Sequence, residues 1–193
     1  MDAAESLARI RRTAPLVHHI TNVVTVGDCA AVLKTLGGSP VMAHAPQEAA
    51  DMAAMADAVV LNIGTPTEET VAAMLAAAAA AAERNTPVLL DACGAGATRY
   101  RDRVARELLG AGAVSVLKGN ASETASLAGL DARTRGVDAG SVPFSLQAIA
   151  QRAARQWNVT AVVTGAADAV AGLGSEPCWT VGNGHPALAR VVG

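Results

Sequence analysis

Short apolar, β-branched runs alternate along the chain with longer, alanine-rich stretches. The runs lie at 39–43 (SPVMA), 58–63 (AVVLNI), 87–92 (PVLLDA), 114–119 (VSVLKG) and 160–165 (TAVVTG). Each is followed by enough chain for a crossover helix, a rhythm that predicts a parallel α/β sheet. The runs are continuously apolar, as expected for strands covered by helices on both faces. The clearest helix start is TPTEE, with Thr65 as cap, Pro66 at the first helical position and Glu68 three residues after the cap, followed by the apolar run Val71 to Ala82. The Gly-, Pro- and charge-rich stretch 131–143 reads as an exposed loop. No repeat and no domain boundary is evident, so residues 1–193 are expected to form one domain.

In an open parallel sheet, ligands bind beyond the carboxyl ends of the strands. Those ends carry Met42 and His44, then Asn62, Gly64 and Thr65, then Asp91 with CGAGAT, then Lys118 with GNASE, then Thr164 and Gly165.

Composition narrows the ligand. A net charge of -2 and only four aromatic residues (Tyr100, Phe144, Trp157, Trp179) leave neither a basic stripe nor stacking platforms, so nucleic acid is not an expected partner. Cys29, Cys93 and Cys178 lack CxxC spacing, which points to a reducing compartment and away from a zinc site. The amino terminus lacks an apolar signal core, and the longest apolar run is too short to span a bilayer, so a cytoplasmic protein is expected.

Singly, the motifs leave alternatives open. DACGAGAT places an acid at a strand end before two glycines, which fits a phosphate and metal site but equally a tight turn with Asp91 bonded to its own loop. In KGNASE, Asn120 and Glu123 have capping-box spacing, which needs no ligand. His18 and His19 are adjacent on an extended segment and point to opposite faces, so they cannot share a metal; one is expected to be buried and hydrogen-bonded. Met42 suits either a core gap or the wall of an apolar pocket. Neither GxxxxGK[ST] nor GxGxxG occurs.

Taken in order, VHHITN, LGGSPVMAHAPQEAADM, VVLNIGT, LLDACGAGATRYR, KGNASE, VVTG and NGHPALARVVG closely resemble the hydroxyethylthiazole kinases of thiamin biosynthesis, over essentially the whole chain. The resemblance implies a ribokinase-like α/β fold with a mostly parallel sheet, and ATP- and magnesium-dependent phosphorylation of the hydroxyethyl group of a methylthiazole. It implies a homotrimer with substrate sites between neighbouring subunits. Carried over by motif, Met42, Asn22 and Gly193 become substrate-binding residues, Lys118 and Thr164 ATP-binding residues, and Asp91 and Glu123 the magnesium residues. Lys118 stands where the family usually has arginine, keeping the charge but losing the planar fork. Ala92, Cys93 and Ala95 depart from the family's DPVGVGAT loop, while its glycines remain.

The resemblance also implies that Gly193 opens a GTGC-type loop whose last residue is the catalytic base position, so no catalytic residue is assigned within 1–193. On this reading the chain is truncated before the catalytic loop and is expected to have little kinase activity alone. A non-catalytic thiazole-binding or assembly relative is the alternative. A nucleotide-dependent oxidoreductase rests on the α/β rhythm alone and lacks its fingerprint.

Overall fold

The expected strands all form in the computed structural model, which describes residues 2–130, 143–173, 177–182, 184, 185 and 187. In chain order the elements are α1 (Ala3–Thr13), β1 (Leu16–Ile20), α2 (Val26–Leu36), β2 (Ser39–Val41), α3 (Pro46–Met55), β3 (Ala58–Asn62), α4 (Glu68–Glu83) and β4 (Val88–Asp91). There follow α5 (Arg99–Gly110), β5 (Val114–Asn120), α6 (Ala121–Leu127), α7 (Leu146–Trp157), β6 (Thr160–Thr164), β7 (Asp168–Ala171) and β8 (Cys178–Val181). The loop expected over 131–143 lies, except for Pro143, outside the described residues.

One sheet has the order β2-β1-β3-β4-β5-β6-β7-β8. Strands β1 to β6 pair in parallel, while β7 and β8 continue as an antiparallel tail. The chain moves outward from β1 to β2, then returns across β1 to β3 and travels the other way. Right-handed crossovers therefore put α2 on the face opposite α3, α4 and α5, giving helices on both faces. The reversal opens a crevice between the carboxyl ends of β1 and β3.

The two faces are unequally covered. Val59, Leu61, Val88, Leu90, Leu117, Ala161 and Val163 are buried in a core shared with α3, α4, α5, α6 and α7. Alanines such as Ala49, Ala53, Ala73 and Ala77 occupy the helix surfaces in that core. Removing a large member such as Leu61 would cost about 2–5 kcal/mol, because close-packed neighbours cannot fill the void. On the opposite face Val60, Leu89, Val116 and Val162 are only half-buried. Helices α1 and α2 contribute no fully buried residue. The strands thus alternate in burial, where their continuous hydrophobicity had suggested equal cover.

One helix start differs from expectation. Thr67, not Thr65, caps α4, and Thr70 completes the capping box in place of Glu68. Thr67 has the extended backbone a cap needs (φ -117, ψ 164), and the Thr70 hydroxyl accepts its amide proton at 2.9 Å. The Thr65 hydroxyl instead accepts from the Val23 amide at 3.1 Å, tying the end of β3 to the loop after β1. Among the described residues no helix is long and apolar enough to cross a membrane.

Candidate active site

The crevice at the β1/β3 reversal is built around two asparagines. Asn22 follows β1 and is buried. Its Oδ1 accepts from the amides of Val24 and Thr25 and from the Thr25 hydroxyl, while its Nδ2 donates to Oδ1 of Asn62 at 3.1 Å. Asn62, the last residue of β3, also accepts from the Gly64 amide at 2.8 Å. Asn22 therefore spends most of its polar capacity shaping the turn into α2, and at most its second amide hydrogen is left to meet a substrate.

Met42 stands beside this crevice, half-buried, just after β2. Its carbonyl accepts from Nδ1 of His44 at 2.8 Å, and the Thr21 amide donates to His44 Nε2 at 3.1 Å. With Nε2 also 3.3 Å from the Thr21 carbonyl, the ring fastens the loop after β2 to the end of β1. His44 has no ligand spacing in the sequence, and its place here is that of a strut. His18, as expected of one of the pair, is buried and donates from Nε2 to the Ala43 carbonyl at 2.7 Å. His19 is buried as well, and neither of its ring nitrogens has a partner among the described residues. Burial lowers the pKa of both, reinforced for His19 by the nearby His18 and His44.

Charged chemistry gathers two strands away. Asp91 ends β4 and is the register partner of Lys118 on β5; Nζ donates to Asp91 Oδ2 at 3.0 Å. Burial works to lower the Lys118 pKa, but the carboxylates of Asp91 and Glu123 outweigh it and hold the ammonium charged. Thr164, at the end of β6, is the register partner of Asn120, and its hydroxyl makes a long contact of 3.4 Å to the Gly119 carbonyl. Strand pairing alone thus brings Asp91, Lys118 and Thr164 to one end of the sheet.

Glu123 completes this group from the start of α6. The capping box is real: Asn120 Oδ1 accepts the Glu123 amide at 3.0 Å, and Glu123 Oε2 accepts the Asn120 amide at 2.8 Å. The other oxygen, Oε1, accepts from Gly94 at 2.7 Å, so Glu123 also anchors the loop after Asp91. Burial raises its pKa, partly offset by those two amides.

The loop between β4 and α5 differs from the anion cradle its glycines suggested. Gly94 donates to Glu123, Ala95 to the Ala92 carbonyl, Gly96 to Asp102 Oδ1 at 2.5 Å and Ala97 to the Gly94 carbonyl. Four successive amides are thus satisfied inside the protein. Gly94 and Gly96 have φ of +77 and +86, left-handed values that explain glycine at both positions. Cys93 is half-buried, and burial, aided by Asp91 and Glu123, pushes its thiol pKa up, so it stays protonated and unreactive. Among the described residues no group of three or more His, Cys, Asp or Glu side chains could hold a metal by itself.

Residues 7–193 match the model of the hydroxyethylthiazole kinase family. The chain belongs to that family. It is 50% identical over 193 residues to the hydroxyethylthiazole kinase of Rubrobacter xylanophilus, covering 100% of this chain and 71% of that protein. Identity to the Methanosarcina mazei hydroxyethylthiazole kinase is 46% over 187 residues, 97% of this chain and 71% of the relative. Among solved structures, the hydroxyethylthiazole kinase protein of Pyrococcus horikoshii OT3 superposes with a TM-score of 0.84 at 41% identity, over 98% of this chain and 70% of that one. A Bacillus subtilis pyridoxal kinase aligns at a TM-score of 0.61 with 13% identity, over 88% of this chain and 74% of that one, which speaks to the fold alone. The fold is ribokinase-like.

Against the family, the anticipated residues form two groups. Asn22 and Met42 follow the neighbouring strands β1 and β2, whereas Asp91, Lys118, Glu123 and Thr164 lie at the ends of β4, β5 and β6; Gly193 is outside the described residues. The residues that join the groups carry little signal in the sequence. Asn62 and Arg101 are the principal ones, and neither belongs to a motif with a chemical signature. The only signal for Arg101 is its position in the GATRYR run, inside the first turn of a helix that Thr98 caps.

Proposed function

We propose that the protein transfers the γ-phosphoryl group of ATP to the hydroxyethyl group of 4-methyl-5-(2-hydroxyethyl)thiazole, within thiamin biosynthesis or salvage in the cytoplasm. The observation that carries the reading is that Asn22 and Met42, after β1 and β2, and the Asp91–Lys118 carboxylate–ammonium pair, at the ends of β4 and β5, lie at the same carboxyl end of one sheet, in a chain of this family. Phosphoryl transfer asks a protein mainly to position and to stabilise charge, and these two groups divide that work.

The thiazole ring would lie against the Met42 thioether, whose flexible chain adapts to a planar, apolar partner. Lys118 would meet the phosphates, since its ammonium is charged and needs only to share or leave Asp91 to reach them. Thr164, whose present contact is weak, has a hydroxyl to offer the same oxygens.

The donor set suits magnesium. Two carboxylates, one partly exposed and one already bound to backbone amides, match an ion that keeps several waters and takes phosphate oxygens rather than a closed protein cage. Asp91 and Glu123 are the residues that would hold it, Glu123 through water. When bound, such an ion offsets charge on the phosphate oxygens. In this reading the working unit is a homotrimer, with neighbouring subunits completing the thiazole site, and 1–193 form a single domain.

The direct test is incubation of the purified protein with ATP, magnesium and the thiazole alcohol, with mass spectrometry of the product. Thiazole phosphate above background is the expected result for a protein that carries the GTGC-type loop, and little for residues 1–193 alone. Thiazole binding by calorimetry with no phosphate formed would instead identify a non-catalytic binding relative.

A further inference from the structure

Arg101 sits in the first turn of α5, where the Thr98 hydroxyl accepts its amide at 3.2 Å. Its guanidinium turns back over the loops that precede the helix. Nη1 donates to the carbonyls of Ile63 at 2.8 Å and Cys93 at 3.0 Å, and Nη2 donates to Gly64 at 2.7 Å. Ile63 and Gly64 follow β3, whereas Cys93 follows β4. One rigid plane therefore holds the exits of two adjacent strands.

Among the described residues no carboxylate lies within ion-pair distance of Arg101, so the charge of this part-buried group is met by neutral carbonyls. That is a costly way to gain stability alone, because a desolvated cation is poorly repaid by uncharged acceptors. It does yield geometry, since the fork fixes its acceptors in one plane.

The contacts continue in both directions. From Gly64 the amide reaches Asn62 Oδ1, which also takes Nδ2 of Asn22. From Cys93 the chain passes to Gly94, whose amide binds Glu123, and Glu123 in turn binds the Asn120 amide. The connection runs from the β1/β3 crevice to the charged cluster without a break, and Arg101 is its central joint.

We propose that Arg101 is a positioning residue, fixing the acceptor side of the site (Asn22, Asn62, Gly64) relative to the phosphate side (Asp91, Lys118, Glu123). The inference rests on the kinase reading above. Its consequence follows from the geometry of transfer: a donor and acceptor each bound correctly but displaced by about 1 Å can lose about 10²-fold in rate.

The test compares wild type with Arg101→Ala, Arg101→Lys and Arg101→Gln under ATP, magnesium and thiazole alcohol. Arg101→Ala should lower kcat about 10²-fold with little change in either KM, because each half-site keeps its own contacts. Guanidinium chloride, kept well below unfolding concentrations, should restore part of the rate. Arg101→Lys should remain slow, since one ammonium cannot span three carbonyls on two loops. If Arg101→Ala does not fold, Arg101→Gln carries the same comparison. A kcat equal to wild type, or a loss that follows melting temperature while both KM values rise, would overturn the proposal. Hydrogen exchange separates it from the kinase reading: Arg101→Gln should speed exchange of the Gly64 and Gly94 amides together, whether or not wild type turns over. Unchanged exchange at either amide would sink the joint even in an active enzyme, and an inactive wild type with coupled exchange would sink only the kinase reading.

Discussion

Asp91 and Lys118 face each other as register partners on β4 and β5, and their side chains meet at 3.0 Å. The pair is partly exposed, so its own contribution to stability is small, about 0–1 kcal/mol. Its importance is that it stores a charged donor and a carboxylate side by side where phosphates are expected. Lys118→Ala should therefore change melting temperature little while raising the KM for ATP, by roughly ten- to a hundredfold, the value of a charge-assisted hydrogen bond of about 1.5–3 kcal/mol. Lys118→Arg should preserve most ATP affinity. Steady-state kinetics with ATP varied at saturating thiazole decides this; an unchanged KM in Lys118→Ala would return the pair to a structural role.

Asp91→Asn separates the two members of the pair. On the proposed function it should lower turnover far more than thiazole affinity, with partial recovery at high magnesium, because the carboxylate would then help to hold the ion against the phosphates. Unaltered turnover together with an unaltered magnesium dependence would remove Asp91 from the chemistry.

The thiazole side predicts a different pattern. Met42→Ala removes apolar contact and no charge, so it should weaken thiazole binding by up to about 1.5–3 kcal/mol, roughly ten- to a hundredfold, and leave ATP binding nearly intact. His44 holds the Met42 carbonyl from the other side of the loop, so His44→Ala should act in the same direction through position alone. Calorimetry that found both ligands weakened equally by Met42→Ala would make Met42 a core residue.

The legible parts of this protein are those encoded in local pattern. The strands at 58–62, 88–91, 114–120 and 160–164 follow from short β-branched runs, and the strand ends alone put Asp91, Lys118 and Thr164 on the same edge of the sheet. Strand β1 is harder to read, because two histidines interrupt its apolar pattern, and β7 and β8 are four residues each. What local pattern cannot show is where side chains turn after leaving their own element. The capping spacing of Asn120 and Glu123 is visible, but the second oxygen of Glu123 reaches a glycine in another loop. The glycines themselves suggest open amides, yet carboxylates and carbonyls of the same fold occupy them. Arg101 is the extreme case: two of its partners lie 37 and 38 residues away in sequence, and backbone carbonyls carry no side-chain signature.

Gly94 offers an independent check of that joint. It has φ +77, and a Cβ there would lie 2.7 Å from Arg101 Nη1. Gly94→Ala should thus destabilise the protein by about 1–3 kcal/mol, from backbone strain and from displacement of the guanidinium. With the guanidinium already absent, only the strain remains, so the double variant with Arg101→Ala should cost less than the sum of the two single changes. Denaturant unfolding of the four proteins measures the difference, and strict additivity would mean that the loop and the arginine do not meet.

His19 gives the last prediction, and its sign can be worked out from burial alone. Its ring is buried with neither nitrogen partnered among the described residues, its pKa is lowered, and it shares an apolar pocket with Thr25, Asp28, Cys29, Val32, Leu33 and Leu36 of the α2 region. A base whose folded pKa is depressed binds fewer protons in the folded than in the unfolded chain, so stability falls as pH drops below the unfolded value of about 6.5. His18 contributes in the same sense, while Glu123, an acid with a raised pKa, acts in the opposite sense and gains stability as pH falls through its folded pKa. Comparing variants isolates His19 from both. His19→Leu fills the same pocket without a buried polar group, so it should be neutral or stabilising at about pH 8, and its advantage over wild type should grow as pH is lowered to about 5.5. Asp28 is the acid that could oppose this by attracting a charged ring, and Asp28→Asn should leave the trend unchanged if burial dominates. An advantage that stays constant across that range would mean that His19 finds a partner in solution that offsets its desolvation.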